Sequence, residues 1–157
     1  MARNNTIQPR QQPQHSLELE RLNIFIGKWM NEGYTVETAE APSVKINTSD
    51  VYEWLPGRFF ILHTAYGRVG DMDGGGVEIL GYDPATRKYL SRFFDSLGNI
   101  HEAELAVDGD RWKWKGKNTG CTAVFSEKGK VQTAHHVRLD KNGAWVPSME
   151  VVLTKVV

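Results

Sequence analysis

Among the side chains of the 157-residue chain that can move protons or hold an anion, His63, Arg92 and His101 are the set whose neighbours suggest a shared interior. His63 lies in an alternating run, with Phe59, Ile61, His63 and Ala65 on one face and Phe60, Leu62, Thr64 and Tyr66 on the other. Both faces are apolar enough to be buried, and burial disfavours a charged imidazole, which would leave His63 as a neutral base. Arg92 alternates with Leu90 and Phe94. A guanidinium there either grips a carboxylate or enolate by paired hydrogen bonds or stacks on rings at the surface. His101 shares its face with Ala103 and Leu105 and opposes Glu102 and Glu104, a parity that turns it toward an apolar interior. Converged, the three would supply two proton carriers and an anion holder, enough for an isomerisation, cyclisation or elimination. A hydrogen-bonded core or rim role for His63 is the structural alternative.

Other reactive types are arranged less productively. His135 and His136 are adjacent, so on a strand they point to opposite faces and cannot share one metal, and no His-x-His or Cys-x-x-Cys spacing occurs. Asp71 and Asp73 lack the glutamate of a calcium loop. Asp95 opens an Asp-Ser-Leu-Gly turn and is placed to cap backbone amides. Cys121, the single cysteine, alternates with Ala123 and Phe125 and reads as a small buried hydrophobe. There is no Gly-x-Ser-x-Gly elbow and no phosphate-cradling glycine loop, which disfavours elbow-type esterase chemistry and nucleotide hydrolysis. Trp112 and Trp114 share one face while Arg111, Lys113 and Lys115 share the other, so the aromatic and basic sets are separated rather than interleaved for single-stranded nucleic acid.

The elements that must position these groups are strands. Residues 17–26 carry the only helical spacing, with Ser16 as cap, Glu18 and Glu20 at the positive end of the dipole, and Leu19, Leu22 and Ile26 on one face with Phe25 beside it. Gly27 stops this helix. Alternation then runs to the end, predicting strands over 28–38, 44–55, 59–66, 76–82, 88–95, 99–107, 111–116, 121–126, 131–139 and 144–156. Tight turn chemistry fills nearly every gap, and one glycine-rich linker, 67–75, reads as a flexible loop over an opening. Ten strands in chain order avoid exposed edges most simply by closing, so the expected fold is an all-β, closed antiparallel meander barrel of about ten strands with one N-terminal plug helix. A two-sheet sandwich is the rival. Residues 1–15 read as a polar, disordered tail and 16–157 as the barrel domain.

Composition narrows the partners. Nineteen basic residues balance nineteen acidic ones, so no long-range field draws nucleic acid or anionic membrane. No stretch reads as a secretion signal or a bilayer span, and a lone cysteine fits a reducing compartment; the expected location is cytoplasmic.

Gly27-Lys28-Trp29 resembles the Gly-x-Trp signature that opens the first strand of lipocalins and their relatives, the calycin superfamily, in which the tryptophan closes one barrel end. Leu55-Pro56-Gly57-Arg58-Phe59, Leu80-Gly81-Tyr82-Asp83-Pro84 and Phe93-Phe94-Asp95-Ser96-Leu97-Gly98 look like an uncharacterised bacterial family of calycin-like proteins. Haem-binding nitrobindins of that superfamily carry Gly-x-Trp-x-Gly-x-Gly; Gly27, Trp29 and Gly33 match it, whereas Asn31 departs from it and weakens the implication of haem.

The leading reading is therefore a barrel that binds a small, largely apolar molecule, with Trp29, Tyr66, Phe94, Trp112, Trp114 and Met149 as ligand-binding residues and neither cofactor nor metal. A cofactor-free acid/base enzyme acting through His63, Arg92 and His101 on a polyketide-like, terpenoid or phenolic substrate is the alternative, and a haem or metal carrier the third. An apolar outer patch would suit a homodimer.

Overall fold

The computed structural model describes residues 14–157; most of the expected tail, residues 1–13, lies outside the described residues. Helix α1 (Leu17–Arg21) continues into a 3₁₀ turn over Leu22–Ile24. Ser16 caps α1 by accepting the Leu19 N–H at 3.3 Å. Ten strands follow: β1 (Gly27–Thr35), β2 (Lys45–Trp54), β3 (Phe60–Val69), β4 (Met72–Asp83), β5 (Lys88–Asp95), β6 (Ile100–Asp108), β7 (Arg111–Gly116), β8 (Thr119–Ser126), β9 (Val131–Leu139) and β10 (Trp145–Lys155). Each pairs antiparallel with its neighbour in the chain, and β1 pairs with β10 to close the barrel.

The glycine-rich stretch 67–75 is strand rather than loop. β3 and β4 extend through it to a hairpin with only Gly70 and Asp71 between them, and Gly67 faces Gly74 while Tyr66 faces Gly75 in the ladder. Glycine is depleted in strands, so the composition suggests a loop. Here it serves close approach: Gly75 has φ +146°, and a Cβ on it would lie 1.9 Å from the Ala65 carbonyl oxygen. Only glycine fits this close approach of the two strands.

One barrel end is sealed by the α1 segment. Phe25 is fully buried and packs edge-on against Trp112, Trp114 and Phe125, with ring centroids 5.0, 5.7 and 5.3 Å away. Trp29 is also fully buried; its indole N–H donates to the Phe25 carbonyl at 2.8 Å, and the Lys155 ammonium lies 4.7 Å from its ring centroid. Tyr89 Oη donates to the Glu18 carbonyl at 2.8 Å, Trp54 Nε1 to Asn23 Oδ1 at 2.9 Å, and Lys155 Nζ to the Ile24 carbonyl at 3.1 Å. His15 is tied to the same end through the Gly57 carbonyl at 2.8 Å. No described helix is long and apolar enough to cross a membrane.

Candidate functional site

Alternation puts alternate residues of every strand inside the barrel, and the plug divides that interior into layers. Next to the plug lie fully buried apolar groups such as Leu22, Ile61 and Leu80. Toward the other end, inward-facing Phe93, Trp114, Cys121, His136 and Met149 are only half-buried although the wall encloses them on all sides. The lumen is thus open at the end opposite the plug.

A belt of ladder partners, polar over much of its length, rings this interior and includes those half-buried groups. Consecutive ladder partners Tyr52, His63, Glu78, Phe93 and His101 face inward from β2 to β6. Trp114, Cys121, His136 and Met149 form the corresponding row from β7 to β10. His63 is the centre of the first row and only 7% exposed. Its ring stacks on Tyr52 with centroids 3.9 Å apart and planes within 7°. Its Nε2 is 3.5 Å from Asp50 Oδ2 and its Nδ1 3.9 Å from Glu78 Oε1. Both are charge contacts longer than hydrogen bonds, so both ring nitrogens remain without a hydrogen-bond partner.

Burial alone pulls the imidazole toward its neutral form, but the two carboxyl groups outweigh it and raise the His63 pKa to about 9. His63 is accordingly an imidazolium at neutral pH, not the neutral base expected from the apolar faces of its strand. The parity argument sees only β3, whereas the carboxyls come from β2 and β4.

His136 shifts the other way. Burial lowers its pKa to about 4 against a smaller upward pull from Asp50, and neighbouring His135 lowers it further. Its Nε2 lies 3.6 Å from Cys121 Sγ, whose thiol is pushed up to about 12, first by burial and then by Glu78. A neutral thiol therefore faces a neutral imidazole. Tyr52 is also held well above the usual phenol range, by burial and then by the fields of Asp50 and Glu78.

The three candidate catalytic residues do not converge. His63 and His101 belong to the same row of the belt but are separated by Glu78 and Phe93, and His101 Nε2 is engaged 2.9 Å from Asp95 Oδ2. Arg92 is on the outer face, 3.4 Å from Glu102 Oε1 and 5.5 Å over the Phe94 ring, because Tyr89, Ser91, Phe93 and Asp95 occupy the inward positions of β5. Burial raises the Asp95 carboxyl, but the His101, Asn99 and Leu97 donors together bring it to about 2. Its Oδ1 accepts the Leu97 and Asn99 amides at 2.9 and 2.8 Å.

Of the expected ligand-binding residues, Trp114 and Met149 face the lumen, and Trp29 and Trp112 belong to the sealed layer. Tyr66 and Phe94 are 61% and 42% exposed on the outer face, so they line no part of the lumen. Phe94 instead borders an open outer groove of about 1020 Å³ with Phe60, Ile79 and Leu90.

Asp50, Glu78, Asn31 and Gln132 are the functional candidates that sequence reasoning missed. Asn31, the residue that breaks the longer glycine motif, is 3% exposed inside the barrel and donates through Nδ2 to Thr48 Oγ1 at 3.0 Å. Its Oδ1 and Gln132 Nε2 have no partner. The available signal was parity: Asp50 shares its face with Ile46 and Tyr52, and Glu78 shares its face with Leu80 and Tyr82.

A metal or haem ligand needs a nitrogen lone pair, which an imidazolium at His63 lacks. Among the described residues no group of three or more His, Cys, Asp or Glu side chains is placed to hold a metal ion.

Fold and lumen together define a single-ended antiparallel barrel with a polar belt. Within that class, the chain belongs to the family described as "Protein of unknown function (DUF1579)", whose model matches residues 12–155. No curated protein matches the chain. Its fold is similar to that of Rv2717c from M. tuberculosis, with a TM-score of 0.65 at 13% identity, covering 90% of this chain and 99% of that one. It is also similar to the S-type phycobiliprotein lyase CPES from Guillardia theta, with a TM-score of 0.54 at 10% identity, covering 90% of this chain and 93% of that one. At these identities the likeness is one of fold.

Proposed function

We propose that this calycin-like barrel binds a small, largely apolar molecule, which enters by the open end and rests its body against Phe93, Trp114 and Met149. The observation that carries this reading is the row of half-buried inward side chains Phe93, Trp114, Cys121, His136 and Met149 inside a closed wall, beyond the fully buried layer at the plug. An apolar lumen with a few convergent polar groups is the usual form of a small-molecule site. The phycobiliprotein lyase named above shares this fold at 10% identity.

Acid/base turnover at His63, Arg92 and His101 draws no support from this geometry. Arg92 is outside, and His63 keeps its proton across the neutral range where a general acid or base should exchange one.

The test is titration with N-phenyl-1-naphthylamine, a neutral apolar fluorophore. Saturable one-to-one binding is expected in the native protein, with Ala103→Trp, which fills an inward position, abolishing it and Phe94→Ala, on the outer groove, leaving it unchanged. Absence of saturable binding, or the opposite response of the two variants, would place the site elsewhere or nowhere.

A further inference from the structure

The charges that face the lumen set the kind of guest it can hold; this step rests on the lumen-binding reading above. Two inward carboxyls, Asp50 and Glu78, lie 3.5 and 3.9 Å from the His63 ring nitrogens. His63 offsets one of them at most, so the cluster is negative whether its imidazole is protonated or neutral. A third inward carboxyl, Asp95, is matched by His101 at 2.9 Å, which leaves the excess with Asp50 and Glu78. Lysine or arginine shares the inward parity of the ten strands at two places only, at opposite ends of the barrel. Lys155 lies over the Trp29 ring at the plug, and Arg138 is exposed two residues beyond His136. No basic side chain stands in either belt row.

The field of the carboxyl pair crosses the lumen. Burial dominates the shifts of His136 and Cys121, but in each the next cause is a carboxyl from across the barrel: Asp50 favours the His136 cation, and Glu78 disfavours the Cys121 anion. Both are effects of a negative potential acting on the half-buried row where a guest rests. That row also holds ring faces, Phe93 and Trp114, and a ring face attracts a cation within about 6 Å of its centroid. A carboxylate guest meets repulsion from the field and from the ring faces, with no inward lysine or arginine to receive it. A positive charge on an apolar body is attracted by both. The carboxyls act through their field, so the guest has no need to reach the sealed nitrogens of His63.

We infer that the lumen is a site for apolar organic cations, aryl or alkyl ammonium compounds that place one positive charge beside Phe93 and Trp114, and that it discriminates against carboxylates of the same shape.

The experiment compares 2-(aminomethyl)naphthalene with 2-naphthoate by calorimetry at pH 7 on the native protein. The two share a ring system and differ in the sign of the head group. The ammonium is expected to bind about tenfold or more tightly than the carboxylate. It should also displace bound N-phenyl-1-naphthylamine, which separates the lumen from the exposed outer carboxyls Glu102 and Glu104. Asp50→Asn with Glu78→Gln should bring the ratio to unity or invert it, and Glu78→Gln alone should lower it if the double variant fails to fold. The native comparison and the displacement decide the matter even if neither variant folds. Equal binding, tighter binding of the carboxylate, ammonium binding that leaves the fluorophore in place, or an unchanged ratio in a folded variant overturns the inference. If N-phenyl-1-naphthylamine still binds in that case, the lumen-binding reading stands without it; if no probe binds, both fall together.

Discussion

Two histidines on one lumen with opposite shifts make stability a peaked function of pH, and the peak can be dissected. His63 has its pKa raised from 6.5 to about 9, so the folded state holds its proton more tightly than the unfolded chain does. Its contribution is complete below pH 6.5 and is lost as pH climbs through 9. His136 has its pKa lowered from 6.5 to about 4, so the folded state resists protonation; its contribution is present above pH 6.5 and is lost as pH falls through 4. At 1.36 kcal/mol per pKa unit each limb is worth about 3 kcal/mol, a large share of the 5–15 kcal/mol typical of a domain. For these two groups the optimum falls near pH 6.5. Urea unfolding at half-unit intervals from pH 4 to 9 measures both limbs. Near the upper limit the unfolded Cys121 thiol, whose ordinary value is 9.0, also begins to ionise while burial keeps the folded one neutral, so the alkaline limb of His63 is read as the difference between the native protein and His63→Gln. His63→Gln should flatten the alkaline limb and leave the acid one; His136→Gln should do the reverse. An alkaline limb of unchanged height in His63→Gln would refute the assignment of an imidazolium to the belt.

Three further outcomes test the frame around the site. Phe25→Ala removes the ring at the centre of the plug and should cost about 3–5 kcal/mol in urea unfolding, the range for a fully buried aromatic. Gly75→Ala should cost on the order of 2 kcal/mol by the same measurement, because the new Cβ meets the Ala65 carbonyl and the backbone is in a region that favours glycine; a neutral result would show that the β3–β4 pair relaxes freely. Arg92→Ala should change stability by less than about 0.5 kcal/mol and leave probe binding as it was, since its salt bridge is exposed.

Much of the barrel was legible in the chain because turn residues punctuate it at short intervals and each strand alternates. The glycine stretch 67–75 was not, because glycine marks both flexible loops and strands that must approach one another closely, and only the ladder tells them apart. The site was legible in part. Alternation gives two faces per strand but does not say which is inside, so Arg92 among Leu90 and Phe94 was as consistent with one side as with the other. Burying Asp50 and Glu78 runs against the preference of carboxyls for solvent, so they drew no attention until register set Tyr52 and Glu78 opposite His63 on the neighbouring strands. The charge of His63 follows from that register and is invisible in β3 alone.

The seam between β1 and β10 carries a consequence for how the chain folds. Every other ladder joins strands consecutive in sequence, and the seam joins the first to the last. The entropy of closing a loop rises with its length, so hairpins along the meander are rewarded early while the seam must wait until the sheet has curled. The segment before β1 is bonded to β2 at Trp54, to β5 at Tyr89 and to β10 at Lys155, partners that lie together only after closure. The α1 segment is thus a latch that engages when the circle is complete. Pulsed hydrogen exchange should find the β1 and β10 amides protected later than those of the β3–β4 hairpin, and seam protection arriving first would contradict this order.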